Sequence, residues 1–187
     1  FETAFLVPRE QMVVAAYPRV QYMQSRRDTA QAKEKLLKGF GLESENLRRI
    51  LLYAPTWRDQ NYGLHNDQAD TGYLVDLDDL ASRLGDDWLI LFHGHHYLPS
   101  EFTAAGPNCL DASGLEVQDL VRVSDVIVTD YSSIAFDALA IGKQLALYAT
   151  DEQEFRATRG LYEELWCDLG AFRVRSVTEL VTKVCNA

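Results

Sequence analysis

Four polar stretches of this sequence each follow directly after an apolar run. The most informative is VTDYSSIAFD, residues 128–137, which places an acid, a phenol and two hydroxyls between a strand and a helix. A helix start has unpaired backbone N–H groups and attracts phosphate, and Ser132 and Ser133 can add hydroxyl donors. A helix cap by either serine, with Asp137 as an accessory, is the alternative. The position at a strand's carboxyl end favours a ligand site.

The second stretch is LLYAPTWRD, residues 51–59, in which Thr56 and Arg58 follow another apolar run. The guanidinium group of Arg58 has a planar fork of donors that suits phosphate. The alternative is a turn in which Trp57 belongs to the core and Arg58 pairs with Asp59. The stretch therefore predicts either a second phosphate contact or a local ion pair.

The third stretch, LFHGHHYLP at residues 91–99, contains His93, His95 and His96. No carboxylate or thiol stands beside them at the spacing of metal ligands, so no metal site is predicted. Imidazole titrates near neutral pH and can donate to an oxyanion. The cluster therefore favours a general base or a phosphate contact.

The fourth stretch, LYATDEQEFRATRGLYEEL at residues 147–165, places Asp151 after an apolar run and Arg159 one short helix later. A carboxylate at this point can bind ribose hydroxyls, and Arg159 can bind a phosphate. The alternative for Asp151 is a helix cap.

The elements that position these stretches alternate between strands and helices, which predicts an α/β fold: a Rossmann-like, mostly parallel sheet with helices on both faces. The strands read as apolar almost throughout, as strands buried on both faces do. They are predicted at MVVAAY (12–17), RILLYAP (49–55), WLILFH (88–93), DVIVTD (125–130) and QLALYA (144–149). Helices are predicted at 28–41, beginning with Asp28 as N-cap, and at 76–85, 116–124, 132–142 and 176–184, with one long irregular loop at 57–73.

Composition limits the classes of function. The 187 residues contain 47% hydrophobic residues and carry a net charge of -10, which fits one globular domain and argues against a nucleic-acid surface. The three cysteines lack the spacing of a disulfide framework or a zinc site, which favours a reducing cytosol. The sequence starts without methionine, so we interpret residues 1–187 as one domain of a larger protein.

The chain resembles the CDP-glycerol glycerophosphotransferase family, which includes teichoic acid and capsule polymerases and primases. The resemblance lies in the order and the residues of three stretches: LLYAPTWRD, DVIVTDYSSIAFD, and YATDEQEF followed by RGLY. The resemblance spans roughly residues 12–166. It implies that residues 1–187 form the nucleotide-donor-binding, carboxyl-terminal half of a glycosyltransferase-B type architecture. The segment AAYPRVQYM (15–23) resembles the family's Gly-Tyr-Pro-Arg-Asn-Asp, with Ala16 in place of glycine and Val20-Gln21 in place of Asn-Asp.

The resemblance assigns roles unevenly along the chain. Thr129, Asp130, Ser132 and Ser133 match the block that binds the donor pyrophosphate. Thr56 and Arg58 match the block after the earlier strand. The family's important histidine corresponds to His95 or His96, with His95 preferred.

The activity that the resemblance implies is transfer of glycerol phosphate, or another polyol phosphate, from a CDP-activated donor to a hydroxyl of a polymer or lipid-linked acceptor. CMP is released, and no cofactor is expected. The full-length enzyme would contain an amino-terminal half and work in the cytoplasm at the inner face of the membrane. A nucleotide-sugar glycosyltransferase and a non-catalytic nucleotide-binding module remain open as alternatives, because fold does not determine function.

Overall fold

A parallel β-sheet organises the part of the chain that the computed structural model describes, which is residues 6–26, 28–42, 48–56, 58, 74–94 and 106–186. In these residues the strands are β1 (Arg49–Tyr53), β2 (Trp88–Phe92), β3 (Cys109–Asp111), β4 (Val126–Thr129), β5 (Gln144–Tyr148) and β6 (Arg173–Val174). They lie in the order β3-β2-β1-β4-β5-β6, and every pair is parallel. This confirms the predicted α/β class and the mostly parallel sheet.

Helices cover both faces of this sheet. They are α1 (Pro18–Ser25), α2 (Thr29–Gly39), α3 (Leu77–Leu84), α4 (Val117–Val123), α5 (Ile134–Ala140), α6 (Glu152–Thr158), α7 (Glu163–Asp168) and α8 (Val177–Cys185). Short 3-10 turns occur at Arg9–Gln11 and Gly170–Phe172. Among the described helices, none has the length and apolar character needed to cross a lipid bilayer.

Two hydrophobic clusters, one on each face of the sheet, form the core. Alternate residues of a strand point to opposite faces, so Ile50 and Leu52 belong to one cluster while Leu51 and Tyr53 belong to the other. The first cluster includes buried residues of α1, α2, α4 and α5, and the second includes those of α3 and α8. Burial on both faces explains why β2 is apolar throughout and why β1 and β4 are apolar apart from Arg49 and Thr129 at their ends.

Four of the five predicted strands are confirmed as β1, β2, β4 and β5, but the strand at 12–17 is wrong. Val13 is 91% exposed and Val14 is 100% exposed, and no described strand pairs with this segment. β-Propensity is a property of the segment itself, whereas a strand also needs a neighbour to pair with. The short strands β3 and β6 were missed because two or three residues carry too little pattern.

Side-chain caps begin two of the described helices, α3 and α8. The Asp76 carboxylate accepts from the N–H groups of Asp78 and Asp79, both at 3.0 Å. Ser176 Oγ accepts from Glu179 N at 3.2 Å, and Glu179 Oε2 accepts from the N–H of Arg175 at 2.8 Å. Asp28 precedes α2 but makes no cap bond, because its carboxylate accepts from Arg122 Nη1 at 2.7 Å instead.

Replacing Ser176 by alanine should lower the free energy of unfolding by about 1 kcal/mol, the usual cost of losing an N-cap hydroxyl. The change leaves the N–H of Glu179 at the start of α8 without its acceptor. Urea unfolding followed by circular dichroism measures the effect. An unchanged midpoint would contradict the importance of this cap.

Candidate functional site

The direction of strand order changes between β1 and β4. From β1 the chain adds β2 and β3 on one side, and from β4 it adds β5 and β6 on the other. Open α/β sheets bind ligands outside the carboxyl ends of the strands at such a switch point. Thr56 follows β1 and residues 130–133 follow β4, so two of the four polar stretches meet here.

Arg58 is the centre of a buried ion-pair network at this switch point. Its Nη2 lies 2.9 Å from Asp130 Oδ2, its Nε lies 2.7 Å from Asp151 Oδ2, and its Nη1 donates to the carbonyl of Thr56 at 2.7 Å. The side chains of Arg58 and Asp130 are only 6% and 3% exposed. The network therefore joins the chain segments that follow β1, β4 and β5. The alternative partner, Asp59, lies outside the described residues.

Burial and pairing act in opposite directions on the charges of this network. Burial alone would lower the pKa of Arg58, but hydrogen bonding to Asp151 and the charge of Asp130 raise that pKa above its ordinary value. Burial raises the pKa of Asp130, and Arg58 and Thr56 reduce that rise. The guanidinium group thus stays charged, and the carboxylates depend on it for compensation.

The two threonines of the site hold strand ends together. The N–H of Thr56 donates to both oxygens of Asp130, at 3.0 and 3.1 Å, and its hydroxyl also donates to Asp130 Oδ1. Thr129 is fully buried, and its hydroxyl donates to the carbonyl of Ala54 at 2.6 Å. The side chain of Thr129 therefore connects β4 with the end of β1, and its predicted role in donor binding stays a prediction.

An aromatic cluster that was not predicted from the sequence packs beside the network. The ring of Tyr131 stacks on Phe155 with 3.8 Å between centroids, and Trp166 lies 5.1 Å away. The Tyr131 hydroxyl donates to Asp151 Oδ1 at 3.0 Å, and burial raises the pKa of this phenol. The Arg58 guanidinium lies about 5 Å from both the Tyr131 and the Phe155 ring. Tyr131 and Phe155 lie within two of the polar stretches, and this position could have indicated from the sequence that they belong to the site.

Ser132 and Ser133 form the turn between β4 and α5. Ser132 Oγ accepts from the N–H of Ile134 at 3.3 Å, whereas Ser133 is exposed and its side chain makes no cap bond. Among the described residues, the backbone N–H groups of Ser132 and Ser133 donate to no protein acceptor. The turn therefore offers two amide donors and two hydroxyls at the switch point.

The loop after β2 begins at the same edge of the sheet. The His93 N–H donates to the carbonyl of Tyr53 at 2.9 Å, and the Gly94 N–H donates to Ser113 Oγ at 3.0 Å. The predicted residues His95 and His96 lie outside the described residues, as does most of the predicted loop at 57–73.

Asp151 and Arg159 stand at opposite ends of α6. Asp151 makes no cap bond, and its carboxylate accepts from Arg58 and from the Tyr131 hydroxyl. Arg159 is exposed and lies about 12 Å along the helix axis from Asp151. The predicted phosphate contact of Arg159 thus stays a prediction. No group of three His, Cys, Asp or Glu side chains that could hold a metal ion occurs in the described ranges.

Known proteins resemble this chain in sequence and in structure. The teichoic acid poly(glycerol phosphate) polymerase of Staphylococcus epidermidis is 29% identical over 177 residues, which cover 90% of this chain and 24% of the relative. The teichoic acid glycerol-phosphate transferase of Staphylococcus aureus is 27% identical over 183 residues, which cover 97% of this chain and 46% of the relative. This chain therefore spans half or less of the length of these relatives.

A structural comparison agrees with these sequence matches. A variant of the wall teichoic acid polymerase TagF superposes with a TM-score of 0.82 at 26% identity, covering 98% of this chain and 45% of that chain. A TagF variant soaked with CDPG gives a TM-score of 0.81 at 27% identity, with the same coverage. A sequence model described as CDP-Glycerol:Poly(glycerophosphate) glycerophosphotransferase matches residues 1–187, so the chain belongs to this family, as its motifs indicated.

Proposed function

We propose that this chain is the donor-binding domain of an enzyme that transfers glycerol phosphate, or another polyol phosphate, from a CDP-activated donor to a teichoic acid-like acceptor. Family membership supports this activity. The TagF variant soaked with CDPG has the same domain fold. The carboxyl-terminal position of this domain within a two-domain enzyme is part of the proposal.

The observation that carries the proposal is the Ser132–Ser133 turn at the switch point. Its amide and hydroxyl donors face no described protein acceptor, since in the Ser132–Ile134 contact the serine oxygen accepts from the Ile134 N–H. A diphosphate needs such donors, because the chain as a whole has a net charge of -10 and repels anions. Ser132 and Ser133 are therefore proposed to contact the donor diphosphate.

The buried network has a supporting role in this proposal. Arg58, Asp130 and Asp151 hydrogen-bond to one another and hold the ends of β1, β4 and β5 in fixed positions. Binding groups act best when they are preorganised, because no free energy is then spent on ordering them. Asp130 and Asp151 already compensate the charge of Arg58, so Arg159 is proposed to add positive charge for the diphosphate from the end of α6.

The proposed reaction is a single nucleophilic displacement at phosphorus. An acceptor hydroxyl oxygen attacks the phosphorus that bears glycerol, the bond from that phosphorus to the CMP oxygen breaks, and CMP leaves with the electron pair. The hydroxyl proton passes to a base, for which His95 or His96 is proposed, since their loop begins at the same edge of the sheet. Phosphoryl transfer requires mainly positioning and charge stabilisation from the protein.

The partners follow from this reaction. They are a CDP-glycerol or CDP-polyol donor, a polymer or lipid-linked acceptor, and the remaining half of the enzyme. An acceptor of this kind would place the full-length protein in the cytoplasm at the inner face of the membrane.

Calorimetric titration of the 187-residue chain with CDP-glycerol, CDP-ribitol and UDP-glucose tests the proposal. We expect both CDP ligands to bind at least about tenfold more tightly than UDP-glucose, the ratio that one hydrogen bond of about 1.4 kcal/mol supplies. We also expect almost no polymer synthesis by this chain alone. Equal affinity for all three ligands would favour a general nucleotide-sugar glycosyltransferase, and absence of binding would overturn the proposal.

A further inference from the structure

Helix α1 is fastened to α5 at two points that are far apart in sequence. Arg19 Nε lies 2.9 and 2.7 Å from the two oxygens of Asp137, across 118 residues of chain. Gln24 Nε2 donates to the carbonyl of Ala140 at 2.9 Å. The first contact holds the beginning of α5 and the second holds its end.

The Arg19–Asp137 pair differs from an ordinary surface ion pair in its burial. The Asp137 side chain is 11% exposed, and the Arg19 side chain is 36% exposed. Among the described residues, Asp137 accepts side-chain hydrogen bonds from Arg19 alone. A mostly buried carboxylate without its counter-charge is costly, so removing Arg19 would favour a shift of Asp137 towards water.

Such a shift would reach the Ser132–Ser133 turn. Residues four apart on a helix lie on the same side, so Asp137 stands one turn beyond Ser133. The helix backbone between them is rigid, and Val20 of α1 packs in the same core cluster as Ile134 at the start of α5. A displacement at Asp137 therefore moves the turn that precedes the helix.

We propose that Arg19 is a positioning residue for the diphosphate site: through Asp137 it fixes the first turn of α5 and the amide donors of Ser132 and Ser133. The proposal rests on the proposed function, because it concerns the site assigned there to the donor diphosphate. The proposal also gives a role to Arg19 within the segment AAYPRVQYM (15–23), to which the proposed reaction assigns none.

The test compares Arg19→Met with the unchanged chain by ¹H–¹⁵N NMR. We expect the amide signals of Ser132 and Ser133 to shift in the ligand-free variant. In titrations, affinity for CDP-glycerol should fall on the order of tenfold, whereas affinity for cytidine, which lacks phosphate, should change by less than about twofold. A general loss of structure would instead weaken both ligands equally.

Three further variants keep the test decisive. Arg19→Lys retains the charge with a single donor group and should lie between Arg19→Met and the unchanged chain. The double variant Arg19→Asp, Asp137→Arg should recover part of the CDP-glycerol affinity. Lys33→Met is the control, because it breaks an ion pair of 3.3 Å with Asp125, which precedes β4 at the other edge of the sheet. It should leave both affinities unchanged.

The outcomes separate the inference from the proposed function. If the unchanged chain does not bind CDP-glycerol, the proposed function fails, while the ligand-free amide shifts still test the coupling. Unshifted Ser132 and Ser133 amides in Arg19→Met, or equal losses for CDP-glycerol and cytidine, would overturn the inference. If Arg19→Met does not fold, the same readouts are taken from Arg19→Lys and the double variant.

Discussion

Replacing Arg58 by methionine is expected to lower the free energy of unfolding by about 3–5 kcal/mol at pH 7, the cost of removing one partner of a buried ion pair. Methionine fills much of the space of the arginine stem but leaves Asp130 and Asp151 without their shared counter-charge. Urea unfolding of the variant and the unchanged chain measures the difference. A loss below about 1 kcal/mol would mean that the network contributes no more than an exposed pair does.

The origin of this loss can be separated from lost packing. Adding Asp130→Asn and Asp151→Asn to Arg58→Met removes the uncompensated charges, so the triple variant should be more stable than Arg58→Met alone. The matched control is Arg83→Met, which breaks an exposed pair with Asp79 and should leave the free energy of unfolding almost unchanged. If the triple variant is as unstable as Arg58→Met, the loss comes from packing and not from charge.

The same loss should depend on pH in a defined direction. Burial raises the folded-state pKa of Asp130, and removing Arg58 raises it further. A carboxyl group with a raised folded-state pKa does not destabilise the fold below its unfolded-state pKa of about 3.9. The destabilisation grows as pH rises from that value to the folded-state pKa, and it is constant at higher pH. The deficit of Arg58→Met relative to the unchanged chain should therefore be smaller at pH 5 than at pH 7.

The sequence was sufficient for the layout of the sheet but not for the contacts within the site. The apolar runs at β1, β2, β4 and β5 are long and buried on both faces, so their pattern is strong. The sequence also showed that polar residues follow these strands. Because parallel strands have their carboxyl ends at one edge of the sheet, these residues could be predicted to lie near one another. The strand order that makes β1 and β4 neighbours is a tertiary property that local patterns do not contain.

The partners of the charged residues could not be derived from the sequence for a related reason. For Arg58 the sequence offered phosphate or Asp59 as partners, and both stay predictions. The partners that the structure shows, Asp130 and Asp151, are 72 and 93 residues away and were not predicted. Asp137 was expected to assist a helix cap, but it pairs with Arg19. Charge type indicates what kind of partner a residue needs, and only the fold determines which partner is near.

The structure divides the predicted site residues into a buried framework and an accessible turn. Thr56, Arg58, Thr129 and Asp130 bond mainly to protein groups, whereas Ser133 is exposed and its side chain has no partner among the described residues. Changes in the framework should therefore appear first in stability. Changes at Ser133 should appear in ligand affinity alone.

Replacing Ser133 by aspartate is expected to weaken CDP-glycerol binding at least about tenfold while leaving stability unchanged or slightly higher. Two like charges about 4 Å apart repel each other by up to about 4 kcal/mol in a protein surface environment, and the bound diphosphate would lie near the new carboxylate. Without ligand, a negative charge at the start of α5 is favourable, because helix starts carry partial positive charge. Calorimetric titration and urea unfolding measure the two quantities on the same samples.

Ser133→Asn is the matched control for this experiment, because asparagine has the shape of aspartate without its charge. It should bind CDP-glycerol within about threefold of the unchanged chain, since at most one hydroxyl donor is exchanged for an amide. Higher ionic strength should narrow the gap between the aspartate and asparagine variants, because salt screens charge repulsion at an exposed position. Equal affinities of the two variants would place the diphosphate away from Ser133, whereas a gap that closes with salt supports direct contact between the turn and the donor.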